Sequence, residues 1–138
     1  MRISTSAILI SLSLCVLTNV QAQAQTIYIP VSNIALKNGE STELSDVYFI
    51  STNCKSLLTG PPQVEILDGP PGVAVEIKPA MVVPRGHSCA NPVSGGKLVV
   101  RAKDVEDYSY SRMVIRITYK TRSGDRQRSH NINVQLFP

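Results

Sequence analysis

Cys54 and Cys89 are the residues here whose type and spacing most plainly carry chemistry. They lie about 35 residues apart and enclose two short apolar runs and two Pro-Pro turns. Such a pair can hold a metal, act through a free thiol, or form a bond. Two cysteines and the two histidines, His87 and His130, at irregular spacing do not make a zinc pattern. An exported thiol with a ready partner oxidises, which argues against a catalytic cysteine. The expectation is a Cys54–Cys89 disulfide, an even pair behind an export signal. Closing a loop of that length restricts the unfolded chain and stabilises the fold by roughly 4 kcal/mol on the chain-entropy account.

Other reactive groups are sparse. His87 with Met81 offers the soft donor set that copper prefers, giving a periplasmic copper carrier as one alternative. Met81 lies in an apolar run, where packing accounts for it equally. His130 starts the last apolar run, near its solvent end, and reads as a satisfied or exposed side chain. Glu106 and Asp107 are neighbours in a polar loop and read as solubilising. The chain carries no phosphate loop, no nucleophile elbow and no His-Glu-x-x-His motif. The reading is therefore non-enzymatic, with no cofactor.

Charge is the stronger functional signal. Residues 25–96 hold four basic side chains (Lys37, Lys55, Lys78, Arg85) against six acidic, whereas residues 97–138 hold nine basic against four acidic. Such asymmetry points to an anionic partner. Lys97, Arg101 and Lys103 project from one alternating run, and Arg112, Arg116 and Lys120 from another. These six cations make an anion-binding face if the two runs share a sheet. If the runs lie in opposite sheets, the cations are merely solvated. Suitable partners are a protein or an anionic envelope polymer, a polysaccharide or lipopolysaccharide. Nucleic acid is disfavoured by export and by an aromatic content of 5%, too low to stack bases. A second candidate is the stretch Val83–Ala90. Pro84 restricts one end and Cys89 pins the other, so Arg85 and His87 are presented at small entropic cost. That is how a protease-inhibitor loop offers a basic residue to an acidic pocket, and it gives the other alternative, a small secreted enzyme inhibitor.

The N-terminus supplies the compartment. Arg2 is followed by an uncharged stretch from Ile3 to Val20, then Val20-Gln-Ala22-Gln-Ala24, with small residues at signal-peptidase spacing. Residues 1–24 read as a signal peptide cleaved after Ala22 or Ala24, leaving no transmembrane anchor and a periplasmic or secreted product. Cys15 leaves with it. Residues 25–138, about 115 in number, are enough for one domain.

The elements expected to position these groups are strands. Thr26–Val31 alternates, with Pro30 marking an edge or bend. Lys37-Asn38-Gly39-Glu40 is a turn. Val47–Ile50 suits a buried strand, although Leu44, Val47 and Tyr48 would also line a helical face, so residues 42–51 stay open between the two. Gln63–Asp68 and Val73–Ile77 are strands around a Gly69-Pro-Pro-Gly72 turn. Pro79 is expected to interrupt, leaving Met81–Val83 as a separate short strand. Lys97–Lys103 alternates, with Leu98, Val100 and Ala102 inward. Arg112–Lys120 turns Met113, Ile115, Ile117 and Tyr119 inward. Residues 129–137 turn Ile132, Val134 and Leu136 inward, and the last two runs form a hairpin around Gly124-Asp125.

About seven strands at spacings near ten residues suggest an all-β antiparallel sandwich with one disulfide. Gly69-Pro-Pro-Gly-Val-Ala-Val75, Gly96-Lys-Leu-Val-Val-Arg-Ala102 and Tyr108-Ser-Tyr110 before the terminal hairpin give residues 60–137 an architecture that resembles the secreted bacterial immunoglobulin-like β-sandwich modules. The chain departs from the antibody pattern in having no tryptophan, and its cysteines flank a middle segment instead of joining two core strands. Tyr108 or Tyr110 is placed either for a corner hydrogen bond or as a plain exposed loop residue. The resemblance implies an exported binding or interaction module of the bacterial cell envelope.

Overall fold

The structure is a computed structural model that describes residues 32–138. The expected signal peptide, its cleavage site and the Thr26–Val31 strand lie outside the described residues. Seven strands follow one another: β1 (Ser32–Lys37), β2 (Ser41–Val47), β3 (Gln63–Asp68), β4 (Val73–Val82), β5 (Val93–Ala102), β6 (Ser109–Thr121) and β7 (Gly124–Phe137). They form two sheets, a four-stranded one in the order β1-β7-β6-β3 and a three-stranded one in the order β2-β5-β4.

Period-two patterning sets which faces meet. Met113, Ile115 and Ile117 of β6 and Ile132, Val134 and Leu136 of β7 are buried on one sheet. They pack with Leu98, Val100 and Ala102 of β5 on the other sheet in one continuous core. Apolar burial of this kind is the main favourable term in folding. The inward sets expected for the last third of the chain are all found there.

Several sequence expectations are corrected. The sandwich is not wholly antiparallel, because β1 runs parallel to β7, from Ser32 opposite Ile132 to Lys37 opposite Phe137. Residues 42–51 contain no helix, and the strand there is Ser41–Val47, ending where the apolar run Val47–Ile50 begins. Tyr48, Phe49 and Ile50 belong instead to the β2–β3 connection. Pro79 does not interrupt, since β4 runs unbroken from Val73 to Val82 with Pro79 opposite Gly96. Two conditions allow this. β4 is an edge strand, so a missing N–H costs no ladder bond on its open side. The facing Gly95-Gly96 also lets the strands approach closely, for a Cβ on Gly96 would stand 2.4 Å from a methyl of Ile77. The β6–β7 hairpin turns on Arg122-Ser123, with Thr121 paired to Gly124, two residues earlier than the expected Gly124-Asp125. Tyr108 and Tyr110 are 56% and 61% exposed. Tyr108 packs at a tilt against Phe137, ring centres 5.2 Å apart, and among the described residues the tyrosine hydroxyl that donates a hydrogen bond is that of Tyr48, not Tyr108 or Tyr110.

Candidate functional site

The six outward cations do not share a face. Lys97 and Arg101 lie on β5 with Lys103 just beyond it, whereas Arg112, Arg116 and Lys120 lie on β6 in the opposite sheet. Three of them are also matched by acids. Lys97 Nζ donates to Asp46 Oδ1 at 3.0 Å and stands 3.7 Å from Glu43. The hydrogen bond and charge of Asp46 raise the Lys97 pKa above its ordinary value. Arg116 Nε donates to Glu65 Oε1 at 2.7 Å. Lys120 reaches Asp125 at 3.5 Å. Lys97–Asp46 and Arg116–Glu65 are direct cross-strand partners in the register. Solvent screens exposed pairs of this kind, so each adds little to stability, but their register supports the sheets.

The cysteines are bonded, with Cα atoms 5.6 Å apart. Their bond joins the β2–β3 connection to the β4–β5 connection. The first of these is a miniature hairpin. Leu57 N donates to Phe49 O at 2.8 Å, Ser51 N to Lys55 O at 2.9 Å and Cys54 N to Ser51 O at 3.1 Å. Cys54 sits at its tip with φ of 60°. The base is tied down too, because Thr59 N donates to Lys120 O at 2.9 Å and Leu58 bridges to Thr121. In the second connection Pro84 is buried while Arg85 and His87 are exposed. Tyr48 donates its hydroxyl to Arg85 O at 3.1 Å, and the His87 ring meets Tyr48 edge-on at 6.1 Å. Arg85 thus borders a hollow shared with Lys97 and Asp46.

Between the miniature hairpin and the tip of the β6–β7 hairpin runs a groove of about 1090 Å³. Four cations line it, Lys55, Arg122, Arg126 and Arg128, together with the apolar side chains Phe49, Leu57 and Leu58. None of its lining residues is acidic. Among the described residues, none of the four cations forms a salt bridge. Arg128 is held in place by aromatics, its guanidinium carbon 5.8 Å from the Phe49 ring centre and 5.9 Å from that of Tyr119. The two rings pack against each other at 5.4 Å. Burial raises the Tyr119 pKa, so its hydroxyl stays neutral beside the guanidinium. A guanidinium fixed by aromatic faces presents its donor fork with little entropy left to lose.

Sequence reasoning missed this groove, although a signal was present. Counting back by two from Leu136, Val134 and Ile132 reaches His130, Arg128 and Arg126, charged and polar residues on the core-facing side of β7. β7 outruns the facing sheet, so those positions meet the miniature hairpin and solvent instead of a core.

His130 is neither satisfied nor simply exposed. It is partly buried, and its Nε2 has no hydrogen-bond partner among the described residues. Desolvation first, and then the Arg128 charge, lower its pKa below 6.5. The unfolded chain therefore takes up a proton at a higher pH than the folded one. Stability is full above pH 6.5 and falls as pH drops through the folded value. Melting temperatures measured between about pH 7.5 and 5.5 should fall, and His130→Gln should flatten the slope. An equal slope in the variant would assign the pH dependence elsewhere.

Among the described residues, no group of three or more His, Cys, Asp or Glu side chains is placed to hold a metal ion. No family model, no curated protein and no solved structure matches this chain.

Proposed function

We propose that this chain is an exported, non-enzymatic interaction module of the bacterial cell envelope, with an immunoglobulin-like fold, that binds an anionic partner. The connectivity supports the fold. β2, β5 and β4 in one sheet and β3, β6 and β7 in the other reproduce the B-E-D and C-F-G arrangement of immunoglobulin domains, with β1 added beside β7. The disulfide is compatible with an oxidising compartment outside the cytoplasm, and the signal-like N-terminus argues for export. The observation that carries the function is the groove at the β2–β3 and β6–β7 loop end, with four cations and no carboxylate. Loops presented by a rigid sandwich are the usual place for recognition. This end supports the anionic-partner reading better than the sheet faces, where acids pair with half of the six cations.

Purified mature protein should retain an anionic envelope fraction at low salt and release it as ionic strength rises, since exposed charges are screened over roughly 8–10 Å at physiological salt. Changing Arg122, Arg126 and Arg128 together to Gln should weaken retention by about tenfold or more. The same change at Arg112, Arg116 and Lys120 should leave it nearly intact. Equal loss from both triple variants would return the site to general surface charge.

A further inference from the structure

The two walls of the groove differ in chemistry. Three of the four cations, Arg122, Arg126 and Arg128, come from the β6–β7 hairpin. The three apolar side chains, Phe49, Leu57 and Leu58, come from the facing β2–β3 connection. Arg126 and Arg128 are two residues apart on one strand and share the side of β7 that carries Ile132 and Val134. Two strand residues span about 6.8 Å. That is also the spacing between alternate side chains of an extended peptide.

We propose that the groove receives an extended peptide segment of a partner protein, with acidic residues at alternating positions and apolar residues between them. The proposal rests on the anionic-partner reading above and names the occupant. In an extended segment successive side chains point to opposite sides. Carboxylates at alternate positions face Arg126 and Arg128, each of which can take a carboxylate through two parallel N–H donors. The intervening apolar side chains face Leu57 and Leu58, of which Leu57 is 42% exposed and gains most from being covered. A lipid fits less well, because an acyl chain needs an enclosed apolar channel along its length and three side chains do not make one. An acidic polysaccharide would leave the apolar wall unmatched. The aromatic face it could stack on, Phe49, is already taken by Arg128 and Tyr119.

The test compares a short capped peptide of alternating Glu and Val with one of the same composition in which the Glu residues form one block, by fluorescence polarisation on the mature protein. Phosphatidylglycerol vesicles and polygalacturonate serve as the other anionic probes. The alternating peptide is expected to bind about tenfold tighter than the block peptide. Arg126→Gln with Arg128→Gln should cost about tenfold. Leu57→Ser should narrow the gap between the two peptides without altering the melting curve. Equal binding of both peptides would mean that the groove reads charge alone, and the inference would fall while the anionic-partner reading stood. Groove-dependent binding of vesicles or polygalacturonate without the alternating peptide would likewise overturn the inference. If no anionic probe binds in a manner sensitive to the groove arginines, the anionic-partner reading itself fails.

Discussion

Replacing Cys54 and Cys89 together with Ala should lower the melting temperature by about 10 °C or more. The bond closes a 35-residue loop, which corresponds to roughly 2–4 kcal/mol in a domain of this size. Local geometry adds to the expectation. Cys54 occupies the tip of the miniature hairpin in a left-handed conformation that a β-carbon disfavours, and its N–H is already committed to Ser51 O. The hairpin base stays tethered through Thr59 and Leu58, so loss of the bond frees the tip first. Lys55 lies next to that tip and lines the groove, so anion binding should weaken together with stability. Thermal melts of the oxidised protein, the reduced protein and the double variant provide the check. If all three melt together, the bond does not carry this load. Reaction of both thiols in native, unreduced protein would show that it does not form.

The last third of the chain is legible because Leu98–Ala102, Met113–Tyr119 and Ile132–Leu136 each place an apolar residue at every second position. The middle was less so. Pro79 looked like a strand break because its tolerance depends on β4 being an edge, and edge status is a property of sheet order that no local stretch of sequence encodes. Val47–Ile50 looked like strand because it is apolar. Phe49 in fact leaves the ladder to pack on Tyr119 under Arg128, a contact between residues distant in sequence. The parallel pairing of β1 with β7 is equally non-local. The Cys54–Cys89 bond could be expected from two cysteines behind a signal-like N-terminus, and it agrees with the structure. Alternation marks the six cations as outward, but strand direction alone does not say which sheet a strand joins. The groove depends on two lengths at once, that of β7 beyond the facing sheet and that of the β2–β3 connection that folds over it.

Gly95→Ala should be among the most damaging single changes in the chain. A Cβ at this position would stand 2.3 Å from the carbonyl oxygen of Val47 and 3.1 Å from a methyl of Val82. The oxygen belongs to the backbone at the end of β2, so it cannot swing aside as a side chain would. Relief requires β2 to separate from β5 just where Gly96 pairs with Val47. The expected cost is roughly 3 kcal/mol or more, at the upper end for the insertion of one carbon, because the obstacle is main chain and buried. The disturbance should also travel, for Tyr48 and Phe49 follow Val47 directly and Phe49 forms part of the groove. Loss of affinity for anionic probes should therefore accompany the loss of stability. Gly60→Ala is the matched control. Nothing lies within 4 Å of a Cβ there, so the same substitution should be neutral or slightly stabilising through the unfolded chain. Denaturant melts of the two variants measure the contrast. Similar midpoints for both would show that β2 and β5 tolerate separation at Val47, and that the groove wall does not depend on their close approach.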